Sequence, residues 1–142
     1  MSDQNPASMQ NQQNNQSLKD SPVVLLIEDD PVLTKMYTEK FTSEGLKVLT
    51  AQDGETGLEM ALTNKIDVIL LDIMLPRMSG TDLLEKLRKD DRGKNIPVIA
   101  LTNLVDQAER DRAMKLGVKG YLVKAMQNPG DVVKKIRESI KS

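Results

Sequence analysis

Four short apolar runs in this chain each lead into residues able to do chemistry. Val23–Ile27 is followed by Glu28, Asp29 and Asp30, residues 67–71 by Asp72, residues 97–101 by Thr102 and residues 119–123 by Lys124. If the runs are parallel strands, these groups collect on one edge of a sheet. Carboxylates crowded there repel one another, and a divalent cation relieves the repulsion. An oxygen-only donor set suits Mg²⁺, which takes one or two carboxylates together with waters and phosphate oxygens. A hydroxyl can donate to a phosphoryl oxygen, and an ammonium can neutralise one. A carboxylate ionised near pH 7 can attack a phosphoryl donor without a general base and form an acyl phosphate.

Each residue also has a plainer explanation. Asp30 before Pro31 is a helix cap. Glu28 and Asp29 can be solvated loop acids, Thr102 a capping hydroxyl and Lys124 a surface cation. Asp72 resists such a reading, because it separates the apolar stretch 67–71 from Ile73–Leu75. The joint placement at four strand ends is a stronger signal than any single residue.

The elements that must position these groups follow from hydrophobic spacing. Val23–Ile27, 47–51, 67–71, 97–101 and 119–123 read as strands. The continuous apolar runs among them suit strands buried on both faces. Between them lie helical patterns. The first runs from Asp30-Pro31 through Leu33, Met36, Tyr37 and Phe41 to Gly45. The second is capped by Asp53 and carries Leu58, Ala61 and Leu62. After a loop marked by Pro76 and Gly80, the third carries Leu83, Leu84 and Leu87. The fourth, around 106–116, has the weakest apolar stripe, and the last carries Val132, Val133, Ile136 and Ile140. Five βα units in about 120 residues predict an α/β fold with helices on both faces of a parallel sheet. The flavodoxin-like doubly wound order 2-1-3-4-5 fits, with ligands beyond the carboxyl ends of the strands.

Composition narrows the function classes. The 20 Lys+Arg against 21 Asp+Glu leave no electrostatic footprint for nucleic acid or an anionic membrane. The chain has neither Cys nor His, which removes disulfides, thiolate or imidazole metal ligands and imidazole bases. No apolar run reaches membrane-spanning length and no secretory signal precedes the first strand, which points to a cytoplasmic protein. Residues 1–20 are rich in Gln, Asn and Ser, and predict a disordered tail ahead of one domain at 21–142.

Four segments carry a family resemblance: VVLLIEDD at 23–30, LLDIMLPRMSG at 70–80, PVIALT at 97–102 and GYLVK at 120–124. In this order and spacing they resemble response-regulator receiver domains of two-component signalling, over roughly residues 22–141. The resemblance implies a phosphorylation-controlled switch rather than an enzyme, with Asp72 as phosphoacceptor. Glu28 and Asp29 look like the acidic pair of a Mg²⁺ site completed by Asp72 and the backbone carbonyl of Met74. Thr102 looks like the switch hydroxyl, Tyr121 like the coupled aromatic and Lys124 like the phosphoryl-binding lysine. The implied donor is a sensor histidine kinase or histidine phosphotransfer protein. The implied output is a downstream protein target docking on the fourth helix, fifth strand and fifth helix. The chain ends just after the last helix, so no DNA-binding module is expected.

Two positions depart from the family pattern. Ala125 stands where many members carry a cis Pro, and a non-Pro cis bond costs about 3 kcal/mol, which leaves the loop conformation open. Asn103 stands where a small residue is common, and its amide would be able to crowd a phosphoryl group or bind an attacking water. Two other functions compete: a phosphate-independent protein-docking module of the same fold, and a phosphohydrolase with an aspartyl nucleophile. The hydrolase reading needs a second acid two residues after Asp72, where Met74 stands.

Overall fold

The computed structural model describes residues 21–103 and 106–141; the expected tail at 1–20 lies outside them. Five strands, β1 (Val23–Ile27), β2 (Lys47–Ala51), β3 (Val68–Leu71), β4 (Val98–Thr102) and β5 (Gly120–Val123), alternate with α1 (Pro31–Ser43), α2 (Gly54–Thr63), α3 (Gly80–Lys89), α4 (Gln107–Lys115) and α5 (Pro129–Lys141). All strand pairs are parallel, in the order β2-β1-β3-β4-β5. The expected α/β architecture is therefore the observed one, with boundaries shifted by a residue or two.

The side chains explain why these segments take these forms. Every residue of β3 and β4 is buried, as central strands covered by helices require. β5 is only half-buried along its length because it forms an edge. Alternation along β1 and β3 divides the core in two. Leu25, Ile27, Ile69 and Leu71 pack with Leu83, Leu84, Leu87 and Ala113 on one face. Val24, Leu26, Val68 and Leu70 pack with Phe41, Val132 and Ile136 on the other. Thus α2, α3 and α4 cover one face, and α1 and α5 the other.

The caps at Asp30 and Asp53 are those the sequence signals. Asp30 Oδ1 accepts from the Val32 and Leu33 N–H groups, with Pro31 at the first helical position. Gly45 ends α1 at φ +86°. Asp53, Ser79 and Asp106 cap α2, α3 and α4. The weak stripe of the fourth helix has its counterpart: Ala113 is the one fully buried residue of α4.

Candidate functional site

Strand register assembles the site. Ile27 pairs with Leu71 in the β1–β3 ladder, so Glu28 and Asp72 emerge on the next rung. The Asp72 N–H donates to Ile27 O at 3.0 Å, and the Glu28 N–H to Ala51 O at 3.0 Å. Ladder bonds thus anchor the backbone of both residues, which are buried, at 2% exposure for Glu28 and 5% for Asp72. Asp29, one residue on, is exposed. Ligand oxygens of Glu28, Asp29 and Asp72 all lie within 4.8 Å of one another. This all-oxygen trio fits a hard cation such as Mg²⁺.

Lys124 closes the crevice from the far side. Its Nζ lies 2.6 Å from Glu28 Oε1 and 2.8 Å from Asp72 Oδ2. The remaining carboxylate oxygens are also held. Glu28 Oε2 accepts from the Asp30 N–H at 3.0 Å, and Asp72 Oδ1 from the Met74 N–H at 2.9 Å. Burial, reinforced by the negative charge of Asp72, pushes the Glu28 carboxyl above its ordinary range despite the opposing hydrogen bond from Lys124. Burial alone would lower the Lys124 pKa, but hydrogen bonds to Asp72 and Glu28 outweigh it and hold the ammonium above its usual value.

Thr102 ends β4, fully buried and paired in register with Val123, the residue before Lys124. Tyr121 lies two residues before Val123 on β5, half-buried under the guanidinium of Arg110. All the side chains expected at the carboxyl ends of the strands thus share one end of the sheet. Gly80 lets α3 approach it. A Cβ there would stand 2.5 Å from Asp72 O and 2.6 Å from Ile73 Cα, both backbone atoms. The Gly80 N–H instead donates to Ile73 O at 2.8 Å.

The two departures from the family pattern turn out to touch. The Lys124–Ala125 bond is trans, and Lys124–Met126 forms a single 3₁₀ turn. The N–H that Ala125 carries and Pro would lack donates to Asn103 Oδ1 at 3.0 Å. That oxygen is therefore engaged with backbone. Also unforeseen in sequence is a polar tie between α3 and α4. Thr81 Oγ1 donates to Glu109 Oε2 at 2.8 Å and accepts from Arg112 Nη1 at 3.2 Å, while Arg112 Nη2 reaches Asp82 Oδ1 at 3.1 Å. Partners 28 to 31 residues apart leave no local sequence signal.

Comparison with known proteins agrees with this fold. The family model described as response regulator receiver domain matches residues 24–137. The transcriptional regulatory protein CpxR of Escherichia coli K12 is 38% identical over 114 residues, 80% of this chain and 47% of that protein. Hybrid signal transduction histidine kinase D of Dictyostelium discoideum is 36% identical over 112 residues, 79% of this chain and 7% of that protein. The chain thus spans less than half the length of these relatives. Among solved structures, a CheY-like receiver domain protein from Methanospirillum hungatei JF-1 superposes with a TM-score of 0.81 at 27% identity, covering 86% of this chain and 95% of that one. The receiver domain of a sensor histidine kinase from Pseudomonas aeruginosa PAO1, described with a magnesium ion coordinated in its active site cleft, gives 0.78 at 28% identity, covering 86% and 99%.

Proposed function

The chain belongs to the response regulator receiver domain family, and from that premise we propose that it is a switch whose phosphoryl group is carried on Asp72. Receiver domains of two-component systems are phosphoryl acceptors, and the assignment of roles to individual residues here is our own. The observation that carries it is Lys124 Nζ bridging Asp72 and Glu28 beside the acidic trio, at the carboxyl edge of the sheet.

In this reading an Asp72 carboxylate oxygen attacks the phosphorus of a phosphohistidine on a sensor histidine kinase or phosphotransfer protein. A P–O bond forms, the P–N bond breaks, and the imidazole leaves with a proton from solvent. Lys124 stays within reach of the new phosphoryl oxygens and stabilises their charge. Glu28, Asp29 and Asp72, with the Met74 backbone carbonyl, would hold Mg²⁺. When bound, the ion supplies charge neutralisation on the transferring oxygens. Thr102 donates its hydroxyl to the phosphoryl group, and Tyr121 responds to the movement. The β5 edge together with α4 and α5 then changes its affinity for a downstream protein. The protein is an acceptor that is consumed and regenerated rather than an enzyme turning over an external substrate.

The test is intact-protein mass spectrometry after incubation with acetyl phosphate and Mg²⁺. A Mg²⁺-dependent gain of about 80 Da, the mass of one phosphoryl group in an aspartyl phosphate, should appear in the wild type and vanish in Asp72→Asn. Absence of any gain, with a phosphorylated histidine kinase as donor as well, would favour a phosphate-independent docking module.

A further inference from the structure

We propose that Asn103 is a positioning residue for this phosphoryl transfer, its side-chain carbonyl fixing the turn that presents Lys124. The proposal rests on the reading of Asp72 and Lys124 given above.

The argument begins where the sheet stops. Thr102 and Val123 are the last registered pair between β4 and β5. Beyond them the two chains part, one toward α4 and the other into the 3₁₀ turn Lys124–Met126. That turn is weakly built. Val123 provides no side-chain cap, and the bond from the Gln127 N–H to Lys124 O that closes the turn is long, at 3.3 Å. The first N–H groups of any helical turn lack internal partners and need an outside acceptor. Here Asn103 Oδ1 accepts from the Ala125 N–H at 3.0 Å. The cap thus comes from the neighbouring strand end, 22 residues away in sequence, and not from the turn's own chain.

Position gives this bond its consequence. Lys124 is the first residue of the turn, and its ammonium must meet Glu28 and Asp72 at 2.6 and 2.8 Å. Asn103 directly follows Thr102, which is fully buried. One hydrogen bond therefore ties the segment carrying the hydroxyl to the segment carrying the ammonium. A group held within a fraction of an ångström of its working place needs such support from residues that never touch the reacting atoms. Asn103 and Ala125 are both exposed, so the bond adds little to core stability and its effect should appear in the rate.

The experiment measures the rate of acyl phosphate formation from acetyl phosphate at saturating Mg²⁺, using the full chain, in wild type, Asn103→Ala, Ala125→Pro and the double variant. Melting temperatures are recorded alongside. Asn103→Ala should melt with the wild type yet react about fivefold more slowly, the factor one ordinary hydrogen bond supplies. In the Ala125→Pro background, which has no N–H to bind, the same substitution should change nothing, because the pair acts as a unit. If Ala125→Pro does not fold, Asn103→Asp decides the matter. It keeps an acceptor oxygen, so recovery of rate over Asn103→Ala supports the tie, and a rate as slow as that of Ala overturns it. An Asn103→Ala rate equal to wild type, or an equal loss in both backgrounds, also overturns it. Failure of the wild type to take up phosphate would instead strike at the assignment of Asp72.

Discussion

The guanidinium carbon of Arg110, on α4, lies 5.6 Å from the centroid of the Tyr121 ring, on β5. With Ala113 as the one fully buried residue of α4, this contact is part of what holds the helix against the sheet edge. It also moderates the titration of the ring. Burial raises the Tyr121 phenol, the negative charge of Glu109 adds to the rise, and Arg110 opposes it. Arg110→Ala should therefore move the Tyr121 pKa further up. In a Tyr37→Phe background, which leaves a single tyrosine, the phenolate absorbance follows it directly. A downward or null shift would mean that the cation does not sit over the ring.

The tie from α3 to α4 should govern how readily α4 opens. Thr81→Val keeps the shape of this fully buried side chain but deletes the hydroxyl that meets Glu109 and Arg112. A cost of about 1 kcal/mol is expected. Hydrogen exchange should accelerate selectively in the α4 amides, with little change in those of β1 and β3.

Removing the bridging ammonium should destabilise the protein most at neutral pH. Lys124→Ala leaves two nearly buried carboxylates facing each other, a loss of about 3 kcal/mol for a broken buried ion pair. Glu28 already has a raised pKa, and without Lys124 it rises further. A carboxyl raised on folding weakens the fold above its folded pKa, and the penalty disappears as pH falls toward the ordinary 4.5. Urea midpoints of variant and wild type should converge over that descent. Added Mg²⁺ should narrow the gap at neutral pH if the acidic trio takes the ion.

Gly80→Ala should disturb the site without touching a functional side chain. The new methyl meets Asp72 O and Ile73 Cα, backbone atoms that cannot rotate away. Overpacking of this kind costs about 1–3 kcal/mol. Because the displaced backbone is that of Asp72 itself, the phosphorylation rate should fall as well, and mass spectrometry of acetyl phosphate-treated protein would detect it.

Far from the site, Asp90 offers a control on the electrostatics. Side-chain hydrogen bonds from Arg92, joined by the Arg92 backbone N–H, hold its carboxyl at about 2, below the ordinary 3.8. A depressed carboxyl contributes stability that is present above 3.8 and lost as pH falls through about 2. Carboxyl chemical shifts should place the Asp90 titration there, and Arg92→Ala should return it toward 3.8.

Much of this could be read from the residues alone. Apolar runs of four or five residues alternating with helical patterns point to strands buried on both faces of a parallel sheet, and caps such as Asp30-Pro31 mark the helices locally. A parallel sheet in turn sends Glu28, Asp72, Thr102 and Lys124 to one edge, so strand alternation was enough to gather the groups. The relations that depend on distance in sequence were not legible. Lys124 meets Asp72 across 52 residues and Thr81 meets Arg112 across 31. Asn103 and Ala125 could each be seen as unusual, but nothing in a linear chain says that one accepts the hydrogen bond of the other. Periodicity encodes which face a residue occupies, and position after an apolar run encodes which end of the sheet a group reaches. Which donor finds which acceptor there is decided by register and loop conformation, and these exist only once the strands have paired.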